Sequence, residues 1–547
     1  METPVPETPS DARKLWLGAF AHKPFVVVWL ASALGLVGIS MYDTASGWLM
    51  TRLDLNPVDV SLVHAATNLP MFLFTLPAGA LADIVDPRRL ILYISCGIVV
   101  LIVLFAALVG LDLASPVTLL ITTFLLSALW SVNAPAWLAI LPALVPKDDL
   151  SGAIAANGVA YNLSRTVGPA LGGFAIANLG LSAPYWAFAA TNVVVIVALL
   201  RWRAPTKATA SLPAERLSGA VRTGIRHALN NRFFRATLVR TLAVYPFAAA
   251  YWALMPLIAR QSGQGAEHYG LLLSIISAGA LAGSFAHRYV RRFVNLDWTV
   301  ALGSIGTAAA LGLFGGSRSA PVLLAACFCG GFSWVLVLTS LYTSAQNVLP
   351  QWVRGRGLAI FLTVIFGAVA LCSAAWGQAA AKIGVDNSLV AAAIGALLAI
   401  PLTWPWKLQD AEALDLTPSL HYKRPRSAEE IPDDRGPVLV KIEYRIDPRD
   451  RERFLRAIDE LGEQRRRDGA FAWGVFEDMA ELGRFEEAYL IESWLELMHF
   501  RERVTREDQV VEDEISDMLT RSPHIEFLVG AERQTLLPGR PGTQAEA

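Results

Sequence analysis

Along the first three quarters of the chain, apolar residues form long runs separated by short polar turns. Twelve runs are expected to cross a bilayer as helices, at 24–50, 58–82, 89–111, 116–141, 151–178, 184–201, 237–260, 267–290, 298–315, 321–346, 355–382 and 387–406. Each is close to the ~20 residues that span the hydrocarbon. Past Trp406 the pattern changes: 407–436 is polar and Pro-containing, a linker. A compact module follows. Strands are expected at Pro437–Ile446, Ala470–Asp478, Phe485–Trp494 and His524–Val529. Helical spacing marks Pro448–Arg467, through Phe454, Leu455, Ile458 and Leu461, and Leu495–Leu519, broken near Thr505. The order β-α-β-β-α-β is the split βαβ arrangement.

Composition agrees with lipid as the main surroundings. Hydrophobic residues make up 54% of the 547, charged residues 17%, and the mean hydropathy is +0.44. A net charge of -1 gives no reason to expect nucleic acid. Cys96, Cys327, Cys329 and Cys372 all fall in apolar runs and read as small hydrophobes. No catalytic constellation, metal-ligand cluster, cofactor motif or phosphate-binding loop is found. Residues 1–23 contain no cleavable signal pattern, although Asp11–His22 could lie as an interfacial helix. Threading the spans from the inside puts about 20 Lys and Arg residues on the inner side against Arg52, Arg260, Arg318 and Lys382 outside. Both termini are therefore expected in the cytoplasm, with the protein in the cell membrane.

A repeat divides the spans. Gly79 and Gly283, Arg88 and Arg292, Trp130 and Trp334, Pro146 and Pro350, and Gly173 and Gly377 are each 204 positions apart. Two duplicated six-helix halves account for this. The expected layout is a cytoplasmic N-terminus (1–23), an N-terminal bundle (24–201), a cytoplasmic central loop (202–236) and a C-terminal bundle (237–406). The linker (407–436), the α+β domain (437–530) and a disordered tail (531–547) complete it.

The turn after the second run reads Gly79-Ala80-Leu81-Ala82-Asp83 and then Arg88-Arg89, which resembles the loop between helices 2 and 3 of the major facilitator superfamily. Ile84 and Asp86 replace the basic residue and glycine usual there. Gly168, Pro169, Gly172 and Gly173 resemble the signature of proton-coupled antiporters, with Ser164 in place of its first glycine. Their competing reading is a packing seam, since small residues four apart let helices approach closely. The tail resembles the ferredoxin-like, dimeric α+β barrels that include antibiotic-biosynthesis monooxygenases. With its tail, the chain is similar to the branch related to siderophore and macrolide exporters. The expected fold class is thus an all-α polytopic membrane protein of twelve transmembrane helices, with the major facilitator fold, plus a C-terminal α+β ferredoxin-like domain.

Arg165 lies mid-span, where an unpaired charge is costly. Asp43 is its leading partner, and His64 falls at a similar depth. One reading makes Asp43, with His64, the proton carrier and Arg165 the sensor of its charge; the other is a static ion pair. Arg240 is expected to snorkel to the inner interface. The resemblance implies a cavity lined by the first, fourth, seventh and tenth spans. Tyr42, Trp130, Asn133, Trp137, Tyr245, Tyr251, Trp334 and Tyr342 then become substrate contacts, against their alternative as interfacial anchors. It also implies a cytoplasmic gate in which Asp83, beside Gly79, Arg88 and Arg89, docks near Arg354 and Arg356; a purely topogenic role competes. The function expected is proton-coupled efflux of a lipophilic small molecule such as a drug, siderophore or other secondary metabolite. The partners are substrate, proton and lipid bilayer. The alternatives are a membrane-tethered oxygenase using Trp473, Trp494 and His499 of the tail, or a tail that regulates or forms a homodimer.

Overall fold

A computed structural model describes residues 18–202, 217–409 and 434–531, with 415, 417, 419, 431 and 432; the side chains of 76, 79–84, 217–223, 501 and 502 are not described. The expectations for 1–17, for 203–216, for most of the linker and for 532–547 lie outside the described residues.

Among the described residues, thirteen α-helices precede the tail. They are α1 (Lys23–Leu53), α2 (Pro57–Ile84), α3 (Pro87–Gly110), α4 (Pro116–Leu144), α5 (Leu150–Leu179), α6 (Ala183–Arg201) and α7 (Leu217–Asn230). Then come α8 (Arg232–Gln261), α9 (Ala266–Val290), α10 (Leu296–Gly316), α11 (Ala320–Asn347), α12 (Gln351–Ile383) and α13 (Val385–Thr403). Ten are long and apolar enough to cross a membrane. Of the others, α2 and α5 have 28 and 30 residues. The central segment, read from sequence as a loop, carries the 14-residue helix α7.

Local chemistry sets where the helices begin. Pro57, Pro87 and Pro116 each open a helix, where the missing N–H costs nothing. Ser115 forms a capping box with Thr118, Asp86 accepts from Arg89 N–H, and Asn295 accepts from Trp298 N–H. Large apolar side chains such as Val100, Leu104, Phe174 and Leu398 point outward, as a lipid-facing surface requires.

The chain packs as two compact units. The first holds the described residues up to 217, Ala236–Ser344 and Leu358–Leu408. Inside it Arg240, only 2% exposed, donates to Asp297 Oδ1 (2.9 Å) and to Trp406 O (3.1 Å). Arg240 does not snorkel: the carboxylate on α10 gives it a partner inside the protein, so its head need not reach water. Asp297 also accepts from Leu408 N–H, tying α8, α10 and the chain after α13 together.

The second unit holds Ser218–Arg235, Ala345–Gly357 and the described residues from 409 on. Its sheet runs β2-β3-β1-β4, all neighbours antiparallel, from β1 (Val438–Arg445), β2 (Ala472–Glu477), β3 (Arg484–Ile491) and β4 (His524–Val529). Alternate residues Val438, Val440 and Ile442 of β1 and Phe485, Tyr489 and Ile491 of β3 are buried with Phe454, Ile458 and Leu461 of α14 (Arg451–Asp468). The second helix breaks as expected: α15 (Trp494–Arg503) stops, and Thr505 caps α16 (Arg506–Asp517) in a box with Asp508.

Candidate functional site

The first unit encloses a cavity of about 340 Å³. Its wall takes Asp43 from α1, His64 and Asn68 from α2, Trp130 from α4, and Tyr161, Arg165 and Pro169 from α5. The wall continues through Trp252 (α8), Tyr269 (α9), Trp334 (α11) and Phe366 (α12). Asp43 and Arg165 are both exposed to this space. Among the described residues no hydrogen bond or ion pair joins them; the space itself, able to admit water, removes the need for one.

Arg165 instead donates to Tyr161 Oη (3.1 Å), and its guanidinium lies over the rings of Tyr161 (5.7 Å) and Trp252 (6.0 Å). Trp252 is the centre of an aromatic panel. The His64 imidazole is parallel to it, 6.1 Å away and within 1°, while Trp334 meets it edge-on at 5.9 Å. His64 Nδ1 is 2.9 Å from Ser373 Oγ of α12, which fixes the ring.

At the end of the bundle that carries the turns 54–56, 180–182 and 262–265, the walls meet. A Cβ built on Gly173 would stand 3.1 Å from Gly270 Cα, so α5 and α9 touch backbone to backbone. Gly377 of α12 closes in the same way on Ser61 and Pro57 of α2. Arg260 bonds Thr51 O across this end, Asn178 Nδ2 donates to Glu267 Oε1 (3.2 Å), and Trp48 stacks on Tyr269 at 5.9 Å. Gly173 and Gly377, paired by the sequence repeat, thus make equivalent contacts, and the pair Trp130 and Trp334 lines the cavity.

The remaining residues singled out from sequence fall elsewhere. Gly168 and Gly172 pack on α1, at Val37 O, Ser40 and Met41 Cα. Tyr42 is 1% exposed, bonded to Thr123 Oγ1 (2.9 Å) and set edge-on to Tyr185. Trp137 Nε1 donates to Asn157 Oδ1 (3.1 Å). Tyr245 backs Trp334 at 4.8 Å, Tyr251 sits between Trp252 and Phe314, and Tyr342 meets Phe361 at 6.0 Å. None of these, nor Asn133, lines the cavity. They are one helical turn-step out of phase or beyond its depth. Trp252, one residue after Tyr251 and so about 100° around the helix, was missed for that reason.

At the other end of the bundle, Arg88 Nε donates to Leu199 O (2.9 Å) and Nη2 to Leu200 O (3.3 Å), closing the carbonyl end of α6. Arg89 is exposed. The side chains of Gly79 and Asp83 lie outside the described residues. Arg354 and Arg356 belong to the second unit, where Arg354 Nε donates to Leu349 O (3.3 Å).

Trp473, Trp494 and His499 do not frame a pocket in the tail. Trp473 Nε1 donates to the fully buried Glu487 (2.8 Å), Trp494 is a core residue, and His499 lies at the surface beside Glu496 (3.7 Å). Glu487 is held further by Tyr444 Oη (2.7 Å) and Arg465 (3.4 Å), so its lone pairs are committed to structure.

A many-helix membrane bundle around a polar-aromatic cavity, sealed at one end by glycine contacts, defines a transporter of the major facilitator type. The chain belongs to the family described as transmembrane secretion effector, whose model matches residues 16–535. It is similar to the enterobactin exporter EntS of Citrobacter koseri and to that of Salmonella typhi, each 26% identical over 347 residues, or 61% of this chain and 80% of the relative. Solved structures share the fold. A bacterial homologue of the human lysosomal transporter Spinster gives a TM-score of 0.55 at 13% identity, over 70% of this chain and 96% of that one. The nucleoside transporter NupG gives 0.58 at 10%, over 70% and 100%.

Proposed function

We propose that this transporter is a proton-coupled exporter of a lipophilic small molecule, a class that includes drugs, siderophores and other secondary metabolites. In this reading α1–α6 and α8–α13 are twelve spans in two six-helix halves that rock about the cavity. Both termini are cytoplasmic, so the glycine-sealed end is the outer one and the state is inward-facing. The observation that carries the proposal is the presence of Asp43, His64 and Arg165 in the lining of one cavity, with Tyr161 and Tyr269. Asp43 takes and releases the coupling proton, Arg165 responds to its charge, and Trp130, Trp252 and Trp334 receive the cargo. The corner at Gly79, Asp83, Arg88 and Arg89, together with Arg354 and Arg356, acts in this reading as the inner gate that closes when the halves rock. The test is uptake of a labelled compound panel into inverted vesicles, with and without a pH gradient. Accumulation that follows an inside-acid gradient supports the proposal; movement indifferent to it overturns it.

The tail's strand order supports a ferredoxin-like module, and its contacts favour a regulatory role over an oxygenase. Arg503 lies over Trp352 at 4.6 Å and binds Glu496 (2.6 Å), which also binds Arg226 of α7 (3.2 Å). The segments gripped, 218–235 and 345–357, run directly into α8 and α12. A tail so attached restrains the helices that must move during transport. Deleting residues from Pro437 onward tests this: an altered transport rate without loss of any oxidation supports regulation, and a change in oligomer size alone supports the homodimer.

A further inference from the structure

The cavity holds one negative and one positive group, and neither is committed to the other. Arg165 has five N–H donors, of which one is given to Tyr161 Oη. Asp43 is exposed on the same wall and makes no hydrogen bond or ion pair among the described residues. Between and around them stand rigid flat surfaces: Trp252, the parallel His64 ring and the edge of Trp334.

A purely lipophilic cargo filling this space would strip water from both charges and replace it with nothing, which disfavours binding. A cargo with a single charge satisfies one group and leaves the other stranded. A cargo with an acceptor at one end and a donor at the other satisfies both and keeps the filled cavity neutral.

Resting on the reading of this cavity as the cargo site, we propose that it selects bipolar, ring-bearing molecules. An anionic or strongly accepting group pairs with Arg165, an ammonium or other strong donor pairs with Asp43, and the ring lies against Trp252. Guanidinium suits this role because its planar fork pairs with a carboxylate while its face stacks on an aromatic ring. The arrangement also supplies a rule for exchange. The cargo's donor and a proton compete for the same carboxylate oxygens, so one leaves as the other arrives.

The test uses the full chain in lipid nanodiscs and four probes that share a phenyl ring: phenethyl alcohol (neutral), hydrocinnamate (anion), phenethylamine (cation) and phenylalanine (zwitterion). Affinities are read by saturation-transfer NMR. The zwitterion is expected to bind about tenfold more tightly than the alcohol, a step typical of one charge-assisted pair. Arg165→Gln should shift the preference to the amine and Asp43→Asn to the carboxylate, while Arg165→Lys keeps the original order at lower affinity. Equal binding of alcohol and zwitterion, failure of all four to bind, or a carboxylate preference that survives Arg165→Gln would each overturn the inference. Trp252→Ala separates the two levels. If it abolishes alcohol binding while charge has no effect, only the bipolar selection fails; if it leaves alcohol binding unchanged, the cavity itself is not the cargo site.

Discussion

Gly173 on α5 and Gly270 on α9 let two helices meet with no side chain between them, 3.1 Å from a Cβ position to the facing Cα. A leucine at Gly173 cannot be accommodated without forcing the helices apart. Overpacking of this kind costs on the order of 1–3 kcal/mol, about a 5- to 150-fold shift in the sealed population. Gly173→Leu should therefore express and insert normally but transport at least ~5-fold more slowly, with Gly173→Ala intermediate. Vesicle transport rates normalised to protein amount check this. Gly377→Leu, its repeat partner, should behave alike.

Arg240 and Asp297 form a pair that is almost wholly buried, at 2.9 Å. Removing one partner of such a pair leaves an uncompensated charge and costs roughly 3–5 kcal/mol. Asp297→Ala should lower the unfolding temperature of the purified protein strongly. Arg240→Met with Asp297→Leu should recover most of the loss, because the pair's attraction largely offsets its own desolvation. Thermal unfolding of the parent and the two variants in one detergent is the measurement.

His227 of α7 is buried edge-on to Trp352, and burial together with Arg467, Arg503 and Arg226 pushes its pKa down from 6.5 to about 3. Because the folded value lies below the unfolded one, the unfolded chain binds the proton more readily. The stability from the neutral ring is present above pH 6.5 and is lost progressively as pH falls from there towards about 3. Hydrogen exchange in 218–235 should rise across that window, and His227→Gln should flatten the dependence.

Burial raises Glu496, but Arg503 and Arg226 outweigh it and hold the carboxyl below its usual range. Arg503→Ala removes both the Glu496 pair and the cation on the Trp352 ring. The expected result is faster hydrogen exchange in 218–235 and 345–357, with the sheet itself still protected. Unchanged exchange there would show that the tail does not restrain those segments.

Much of this was legible in the residues. Apolar run length placed the long helices to within a few positions, and the four expected strands fall on β1 to β4 of the described residues, with alternating burial on β1 and β3. The repeat marked Gly173, Gly377, Trp130 and Trp334, whose roles come in matched pairs. Depth along a helix was legible too: Asp43, His64 and Arg165 all line the cavity, although the ion pair expected between Asp43 and Arg165 is not formed among the described residues. Rotation about the helix axis was not. Tyr42, Tyr245 and Tyr251 share the depth of the cavity but turn into the packing behind it, while Trp252 turns in. The pairing of Arg240 with Asp297 was hidden because Asp297 sits one residue before the apolar run assigned to its span. The helix α7 was passed over because its polar face makes it resemble a basic turn.

The account rests most heavily on Asp43. Asp43→Asn keeps the size of the side chain but cannot carry the proton. Efflux measured in vesicles with an imposed pH gradient should lose its dependence on that gradient, while exchange of cargo down its own concentration gradient continues. Full, gradient-dependent efflux in Asp43→Asn would contradict the account.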